Sequence, residues 1–368
     1  MGLNKRLIGA GAVGSGAITP SENFKAVLYD GNSGTQAITG VGFQPDWVWI
    51  KQRDTAAENH NLTDSTRGTN KIINSNNSNA EVTSTSRITS FDSDGFTLGN
   101  NNETNDSGSA YVAWCWKAGG GTTSSNSDGN VNTTVQVNEA AGFSIIKTAN
   151  SDFNESRTFG HGLGNVGNGV PDFFIIKPLS KTFEWRVYTS ANSYAGFLQL
   201  NDTAAQTNVT TNVTSSTFNT QWTPTGASYE SEWIMYAFKA IDGFSKFGSY
   251  TGNGSTNGPI VETGFEPAFL MIKKSSASGS GWYVYDNVRT PNNPKNRILL
   301  ANTSGAENVD VSPPYYALDF LSNGFKVKTS LGSDINANGQ TFIFMAFAAD
   351  PDTEAPTLAS SFNIETYT

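Results

Sequence analysis

Residues 42–51 read Gly-Phe-Gln-Pro-Asp-Trp-Val-Trp-Ile-Lys, and two variants of this stretch return later in the chain. Residues 169–177 read Gly-Val-Pro-Asp-Phe-Phe-Ile-Ile-Lys, and residues 264–273 read Gly-Phe-Glu-Pro-Ala-Phe-Leu-Met-Ile-Lys. All three share a proline, one further residue, four large apolar residues and a lysine. Such internal self-similarity is the sequence signature of a repeated structural unit.

The repeated segment has the features of a buried β-strand. Proline is tolerated at the first position of a strand, and aromatic and β-branched residues favour strands. Trp47 and Trp49 would point to one face, and Val48 and Ile50 to the other, because side chains alternate along a strand. A strand that is apolar on both faces is covered on both faces. A short buried helix is the alternative, but the length and the bounding Gly and Pro favour a strand.

Each copy of this segment closes on a lysine at a constant distance from its proline. The prolines and the lysines both step by 126 and then 96 residues. We expect these lysines to end their strands and to reach solvent along the sheet edge. They are Lys51, Lys177 and Lys273.

A second echo fixes the length of the repeat. Residues 111–118, 233–240 and 342–349 align without gaps, with a small residue at the fifth position. This position holds Cys115 in the first copy and alanine in the other two. We therefore interpret Cys115 as a small buried residue rather than a reactive thiol. A single cysteine also excludes an internal disulfide.

The echoes divide the chain into three homologous units in tandem. We expect an all-β fold of tandem jelly-roll or concanavalin-like β-sandwich units with a flexible N-terminal arm, because short apolar runs alternate with Gly, Asn and Pro turns. No segment predicts a convincing helix. The predicted boundaries are an anchoring arm at 1–23, unit 1 at 24–118, a Gly/Ser-rich linker at 119–141, unit 2 at 142–240, unit 3 at 243–349 and a tail at 350–368.

The segments outside the units carry separate predictions. The arm is too poor in bulky side chains to fold alone, so it is either disordered or ordered by docking on a neighbouring chain. The tail could add as a strand to a neighbour's exposed sheet edge. Residues 241–242 are all that joins units 2 and 3, so we expect these units to pack rigidly.

Bulk composition excludes two classes of partner. The net charge of −9 and the pI near 4.8 disfavour nucleic acid. No run of 18 apolar residues exists, so the sequence predicts no membrane insertion.

The sequence offers little support for a metal or cofactor, and we predict neither. His60 and His161 lie in different units, and neither belongs to a ligand motif. The residues Asp92-Ser93-Asp94-Gly95 could bind calcium weakly, but the other ligands of a calcium loop are missing. A tight turn between two strands is the favoured interpretation, because unit 3 repeats the element without carboxylates at 321–327.

Catalytic motifs are also missing, so we predict no catalytic residues and no enzyme. There is no Gly-x-Ser-x-Gly elbow and no phosphate loop. Paired carboxylates could hydrolyse glycosides, and Glu230-x-Glu232 is the closest approach to a pair. An exposed strand start is the favoured interpretation of this pair. The remaining carboxylate candidates are scattered singly: Glu155, Glu184 and Asp286.

Three tryptophans are candidates for a ligand surface. Aromatic rings stack on sugars, but the core is the default location for tryptophans of the repeated strands, such as Trp47, Trp49, Trp114 and Trp116. The less constrained candidates are Trp185, Trp222 and Trp282.

Several of these motifs together resemble a known family. The opening Phe24 with Gly31-Asn32, the strand at 42–51, the turn at 92–98 and the strand at 111–118 resemble a repeated domain of marine bacteriophage and cyanophage virion proteins. That family is similar to concanavalin-like, lectin-type β-sandwiches. The resemblance is best over residues 1–120 and weaker over 142–349, and unit 2 departs from it.

The resemblance implies a virion structural protein, assembled in the host cytoplasm. The leading hypothesis is a tail fibre that forms homo-oligomers, such as a trimer, and contacts host surface polysaccharide. Residues 1–23 would bind phage tail or capsid proteins. The alternatives are a capsid decoration or vertex protein and a polysaccharide-degrading tail enzyme. No catalytic residue is implied by the resemblance.

Overall fold

The structure is a computed structural model that describes residues 18–55, 58–152, 156–220, 230–309, 315–329 and 333–350. Most of the predicted arm and nearly all of the predicted tail lie outside the described residues. So do Trp222 and Glu155.

Unit 1 consists of nine short strands and one helical turn. They are β1 (Phe24–Asp30), β2 (Gln36–Ile38), β3 (Trp47–Gln52), β4 (Asn61–Asp64), β5 (Lys71–Ile72), β6 (Val82–Thr83), β7 (Ile88–Asp92), β8 (Gly95–Leu98), α1 (Asn102–Asn105) and β9 (Ala110–Trp116). A 3-10 helix at Pro20–Glu22 precedes β1.

Units 2 and 3 follow the same plan. Unit 2 contains β10 (Ser124–Asn126), β11 (Thr133–Asn138), β12 (Phe143–Thr148), β13 (Phe159–Gly160), β14 (Phe173–Pro178), β15 (Arg186–Thr189), a 3-10 helix (Ser190–Asn192), β16 (Gly196–Gln199), β17 (Thr207–Asn208), β18 (Thr211–Val213), β19 (Thr217–Thr220) and β20 (Trp233–Phe238). Unit 3 contains β21 (Ser245–Thr251), β22 (Ile260–Glu262), β23 (Pro267–Lys274), β24 (Trp282–Asp286), β25 (Arg297–Leu300), β26 (Asn308–Val309), β27 (Leu318–Leu321), β28 (Gly324–Val327), α2 (Ser333–Asn336) and β29 (Thr341–Ala348).

Each unit is a sandwich of one large antiparallel sheet and one three-stranded sheet. The large sheets have the orders β1-β9-β3-β4, β10-β11-β12-β20-β14-β15-β16-β17 and β21-β29-β23-β24-β25-β26. The three-stranded sheets have the orders β2-β8-β7, β13-β19-β18 and β22-β28-β27. The all-β prediction is confirmed, and no helix in the described part of the chain is long and apolar enough to cross a bilayer.

The sequence repeat corresponds to a structural repeat. The two echoed segments form adjacent central strands, which are β3 with β9, β14 with β20, and β23 with β29. Their register is the same in all three units. The small residue of the second segment always faces the second of the four apolar residues of the first segment. The pairs are Val48 with Cys115, Phe174 with Ala237, and Leu270 with Ala346. Cys115 is buried, and burial raises the pKa of its thiol, so its inert interpretation holds.

The predicted linker is wrong in part. Residues 124–126 and 133–138 form β10 and β11, which extend the sheet of unit 2 beyond β12. The glycines at its start wrap around Asp46, whose carboxylate accepts the backbone N–H groups of Gly120 and Gly121 at 2.9 and 2.8 Å. Four of the five residues at 133–137 are the β-branched Thr and Val, which favour strands. The Gly- and Ser-rich composition of the whole region hides this signal.

The three large sheets share a single interior, which the sequence did not predict. The inner faces of all three sheets belong to one cluster of buried apolar side chains. Its central layer is aromatic: the rings of Trp47 and Tyr236 stack at 4.2 Å, Phe24 and Phe347 at 5.2 Å, and Phe173 and Phe247 at 5.5 Å. Each of these pairs joins two different units. The outer face of each large sheet packs on its own three-stranded sheet, which gives three smaller cores.

The prediction that the three repeated lysines reach solvent is wrong. All three are buried on the inner faces of the large sheets, and their ammonium groups donate to backbone carbonyls. Lys177 Nζ reaches Ser78 O of unit 1 at 3.3 Å, and Lys273 Nζ reaches Thr203 O of unit 2 at 3.2 Å. In each copy two inward-facing apolar residues stand four and two residues before the lysine. Because side chains alternate between the two faces of a strand, the lysine points inward as well.

The element at 92–95 is a turn, as expected. It joins β7 to β8 with Asp92 opposite Gly95, and Gly324 occupies the matching place in unit 3. Gly95 adopts φ +147°, and a Cβ there would lie 1.9 Å from Ile38 O, so the position requires glycine. The Asp94 carboxylate accepts two backbone N–H groups, and these bonds lower its pKa.

A large-to-small substitution in the shared aromatic layer tests whether the units fold as one body. Trp47→Ala should lower the free energy of unfolding by about 3–5 kcal/mol. It should also accelerate hydrogen exchange in β12 and β20 of unit 2, because Trp47 packs on Tyr236 and Phe143. Val82→Ala, at an exposed position, is the control. Destabilisation confined to unit 1 would contradict the shared core.

The buried lysines predict a pH dependence of folding stability. Burial lowers the pKa of Lys177 to about 7 and the pKa values of Lys51 and Lys273 to about 8, from 10.5. Between pH 7 and 8.5 the unfolded chain therefore binds more protons at these positions than the folded chain does. The lysines thus make the free energy of unfolding rise with pH in this window.

Replacing Lys177 by Met removes the difference in proton binding between the folded and the unfolded chain at this position. The slope of unfolding free energy against pH should fall by up to about 1.4 kcal/mol per pH unit, as measured by denaturant titration at several pH values. Lys246→Met, at an exposed lysine of β21, should leave the slope unchanged. Equal slopes in wild type and Lys177→Met would refute the account.

Candidate functional site

Two of the three predicted ligand-surface tryptophans lie in the interior. Trp185 and Trp282 are 0% and 1% exposed, so neither ring can stack on a ligand at the surface. The indole N–H of Trp185 donates to Asn74 O of unit 1, and that of Trp282 donates to Gln199 O of unit 2, both at 2.8 Å. Their prediction as ligand residues is wrong because they hold the units together. Trp222 lies outside the described residues.

An equivalent contact from a ring nitrogen to a backbone carbonyl joins unit 1 to unit 3, with a histidine in place of the tryptophan. His60 Nε2 lies 3.1 Å from Leu300 O, and His60 Nδ1 accepts from Trp49 Nε1 at 2.8 Å. This pattern fixes the Nε2–H tautomer. Burial lowers the pKa of His60 well below its usual value, and nearby Lys51 adds to the effect. The three units therefore form a closed cycle of equivalent contacts, and His60 is structural.

Ion pairs support two of the three interfaces. Asp64 pairs with Arg67 at 2.5 Å and Asp286 with Arg289 at 2.6 Å, and all four side chains are at most 1% exposed. Asp64 also accepts from the hydroxyl of Tyr236, whose unit is the next one along the chain. Because a buried charge is tolerated when it is paired and hydrogen-bonded, these carboxylates serve the interface. Asp286, considered earlier as a catalytic candidate, is thereby accounted for.

The other candidates for chemistry are separated from one another. His161 is buried in unit 2, where its Nε2 lies 3.2 Å from Thr214 O and its Nδ1 accepts from Leu163 N. Glu230 and Glu232 are both exposed and lie just before β20, as expected for an exposed strand start. Glu232 pairs with Lys147 at 3.0 Å. Within the described ranges, no three His, Cys, Asp or Glu side chains are grouped to hold a metal ion.

The strand directions give the molecule two different ends. The strands β1, β12 and β21 each begin beside the end of the last strand of their unit: Phe24 faces Trp116, Phe143 faces Phe238, and Ser245 faces Phe347. The aromatic contacts between units join these same residues, so all three units begin and end at one end of the body. We call this the terminal end. The opposite, distal end carries the loops that follow β3, β14 and β23.

Two buried asparagines order the loops of the distal end. Asn105, the last residue of α1, accepts Asn32 N at 2.8 Å and donates to Gly34 O and Gly99 O at 2.7 and 2.9 Å. In unit 3, Asn336 accepts Asn253 N at 2.9 Å and donates to Ser255 O and Thr329 O. Each asparagine side chain thus supplies the backbone N–H and C=O groups of the loops with the partners that a neighbouring strand would otherwise provide. These bonds hold the loops in one conformation.

A glycine at the start of each loop permits this arrangement. A Cβ on Gly31 would lie 2.1 Å from Asp106 O, and a Cβ on Gly252 would lie 2.3 Å from Ala337 O. The Gly31-Asn32 and Gly252-Asn253 pairs are the sequence signal that could have revealed this site. Asn105 and Asn336 leave no such signal in the sequence, since their role depends on contacts across about 70 to 80 residues.

We define the distal surface as residues 31–35, 101–109, 252–259 and 334–340. Its exposed side chains are mainly uncharged hydrogen-bonding groups. They include Asn32, Thr35, Asn102, Ser107, Asn253, Thr256, Asn257 and Asn338. Such a surface, held in one conformation beforehand, is suited to wet, polar recognition of another molecule.

A family model described as "Domain of unknown function (DUF7483)" matches residues 19–351, which include all three units. A search of curated proteins found no match, and a search of solved structures found none either.

Substitution of Asn105 tests the support of the distal surface. Asn105→Asp keeps an acceptor for Asn32 N but removes both donors and places a carboxylate against two buried carbonyls. Unfolding free energy should fall by about 2 kcal/mol or more, with faster hydrogen exchange at 31–35. Asn102→Asp, on the exposed side of the same helix, should change stability by less than about 0.5 kcal/mol. Unchanged exchange in Asn105→Asp would contradict this role.

Proposed function

The chain belongs to the DUF7483 family, and we propose that it is a non-enzymatic structural protein of a bacteriophage virion. In this proposal it is a tail-fibre component, bound to the particle at its terminal end and in contact with host surface glycans through its distal surface. A location in the virion is also what the motif resemblance implies.

The single observation that supports this proposal best is the separation of the two ends. The described chain enters at residue 18 and leaves at residue 350 on the terminal end, where Ser21 N donates to Asp350 Oδ1 at 2.8 Å. The ordered polar loops lie at the other end. A protein that is attached at one end and makes contact at the other needs this arrangement.

The shape of the interior supports a load-bearing role. One buried cluster passes through all three sheets, so a force applied at the distal end is transmitted through packed side chains rather than through a linker. Ile18 packs against the shared core and Pro20–Glu22 form the 3-10 helix before β1, so residues 18–23 of the predicted arm belong to the body. Residues 1–17 lie outside the described residues.

The described part of the chain favours polar recognition over aromatic stacking. All of its tryptophans are buried, and its exposed aromatic side chain is Tyr315. Glycan hydroxyls can exchange hydrogen bonds with the amides of the distal surface directly or through water. Homo-oligomers, a trimer among them, remain part of the proposal, although one chain already provides a closed cycle of three units.

Gold labelling of intact particles tests the location. The proposal expects label on the tail. Label spread over the shell would instead support the capsid decoration protein, and an absence of the protein from purified particles would refute both.

Deletion of residues 1–17 tests the anchor. The truncated chain should keep the stability of the full chain, because the described contacts begin at residue 18, yet fail to enter particles. The readout is the amount of protein in purified particles beside the full-length chain. Normal incorporation of the truncated protein would rule out the arm as the anchor.

Alanine substitutions on the distal surface test host contact. Asn257→Ala with Asn338→Ala should weaken binding of the purified protein to host cells at least tenfold. The control is Asn165→Ala with Asn168→Ala, two exposed asparagines of unit 2 in the loop before β14, at the terminal end. Equal binding by both variants would remove the distal surface from recognition. Release of reducing ends from host polysaccharide by the wild-type protein would refute a non-enzymatic role.

A further inference from the structure

The same backbone hydrogen bond occurs at all three contacts between units, which we call seams 1/2, 2/3 and 3/1 after the units that they join. The acceptor is always the carbonyl of the residue two places after the repeated lysine. The bonds run from Glu81 N to Leu179 O at 2.8 Å, from Gln206 N to Ser275 O at 3.0 Å, and from Glu307 N to Arg53 O at 2.7 Å. The three seams are therefore equivalent, and their side chains can be compared position by position.

Each of the three donor residues belongs to a set of three side chains that differs between the seams. In two seams the set consists of Asp, Arg and Glu, and the Arg bonds to both carboxylates. These sets are Asp64, Arg67 and Glu81 in seam 1/2 and Asp286, Arg289 and Glu307 in seam 3/1. In seam 2/3 the set is uncharged and consists of Thr189, Asn192 and Gln206. Asn192 Nδ2 donates to Gln206 Oε1 at 2.7 Å, so a pair of neutral amides replaces the ion pair.

Unit 1 takes part in both charged seams, whereas the neutral seam joins units 2 and 3. The chain passes from unit 1 toward unit 2 through residues 119–121, and Gly120 and Gly121 have φ values of +63° and +81°. The carboxylate of Asp46 accepts the N–H groups of both and the hydroxyl of Ser65. Because hinges are short segments that absorb changes in φ and ψ, these glycines are suited to be a hinge that Asp46 holds closed.

Seam 3/1 contains two groups that bind protons weakly in the closed body. Burial alone would raise the pKa of Glu307, but Arg53, Arg289 and Arg297 bond to its carboxylate and hold the pKa below its usual value. Burial lowers the pKa of His60, which bonds to Leu300 O across the seam, and the charges of Lys51 and Arg289 add to this effect. Both groups would therefore bind protons more readily if the seam opened.

Other charged side chains also face the seams. In seams 1/2 and 3/1 they are Asp54, Asp64, Arg67, Lys71, Glu81, Lys177, Asp286 and Lys295. In seam 2/3 they are Asp202, Lys273, Lys274 and Asp334. Burial lowers the pKa of Lys177 to about 7 and that of Lys273 to about 8. Proton uptake by these two lysines is nearly complete at about pH 6, so it contributes little to changes at lower pH.

We propose that acid releases unit 1 as a whole from units 2 and 3 by rotation about residues 119–121, while seam 2/3 stays closed. Proton uptake by His60 and Glu307 favours the released state as the pH falls. The uncharged set of seam 2/3 takes up no proton in this range. Release uncovers the aromatic inner faces of units 2 and 3. This inference is independent of the proposed function.

Amide exchange at the three equivalent seam bonds tests the release. It is measured by NMR on the full-length chain between pH 6 and 4.5, and each rate is divided by the intrinsic rate at that pH. This ratio should rise about tenfold per pH unit at Glu81 and Glu307, because each proton taken up on release shifts the equilibrium by up to that factor. At Gln206 it should rise less than about twofold per pH unit. The hinge amides of Gly120 and Gly121 should follow Glu81.

Three results would overturn the proposal. An equal rise at all three seam amides would mean that the whole body unfolds. A rise at Glu81 or Glu307 alone would mean that one seam opens while unit 1 stays attached. Hinge amides that remain protected while both seams open would exclude rotation about residues 119–121.

Substitution of His60 tests the source of the pH dependence. Gln at position 60 can donate to Leu300 O and accept from Trp49 Nε1 as the histidine does, but it does not titrate. Between pH 6 and 5, His60→Gln should reduce the rise at Glu81 and Glu307 from about tenfold to less than about threefold.

The matched control is His161→Gln. It removes the other buried histidine, whose ring bonds to Thr214 and Leu163 within unit 2, and it should keep the wild-type rise at the seam amides. Equal rises in the two variants would overturn the proposal. If His60→Gln fails to fold, the comparison of the three seam amides in the wild-type protein still decides.

Discussion

The structure depends on the packing of three apolar sheet faces against one another. A single unit has a small core between its two sheets, but the inner face of its large sheet carries aromatic rings that need a partner. The rings of Trp47, Phe173 and Phe269 and their neighbours find this partner in the other units. Burial of a large aromatic side chain contributes about 1.5–3 kcal/mol, so the shared interior outweighs any tendency of the units to separate.

The polar groups of the interfaces fix how the sheets are arranged. Each large sheet donates from a ring N–H to a backbone carbonyl of the preceding unit in the cycle, from Trp185, Trp282 or His60. Hydrophobic contact alone is non-directional, whereas an unmade buried hydrogen bond costs about 1–3 kcal/mol. The copies have also diverged. Units 1 and 3 carry a buried Asp at the position where unit 2 has Thr189, which pairs with Phe173.

This architecture explains why chemistry-bearing residues are distributed as they are. His60, the buried carboxylates Asp64 and Asp286 and the lysines Lys177 and Lys273 make contacts between units. The exposed side chains of the distal surface are mainly amides and hydroxyls. The result is one packed body with a terminal end, where the described chain enters and leaves, and a distal end with ordered polar loops. The virion proposal uses this difference between the two ends.

The sequence by itself determined the all-β class, the three units and the register of their central strands, because alternation of apolar residues and the offset of a small residue such as Cys115 are local properties of the chain. It also determined the hairpin at Gly95, where only glycine fits. Tertiary structure alone decided the location of Lys177 and Trp185, the use of residues 133–138 as a strand, and the roles of Asn105 and His60. Each of these depends on which distant segment supplies a carbonyl or covers a face, and pairing between segments far apart in the chain leaves no periodic trace in a single sequence.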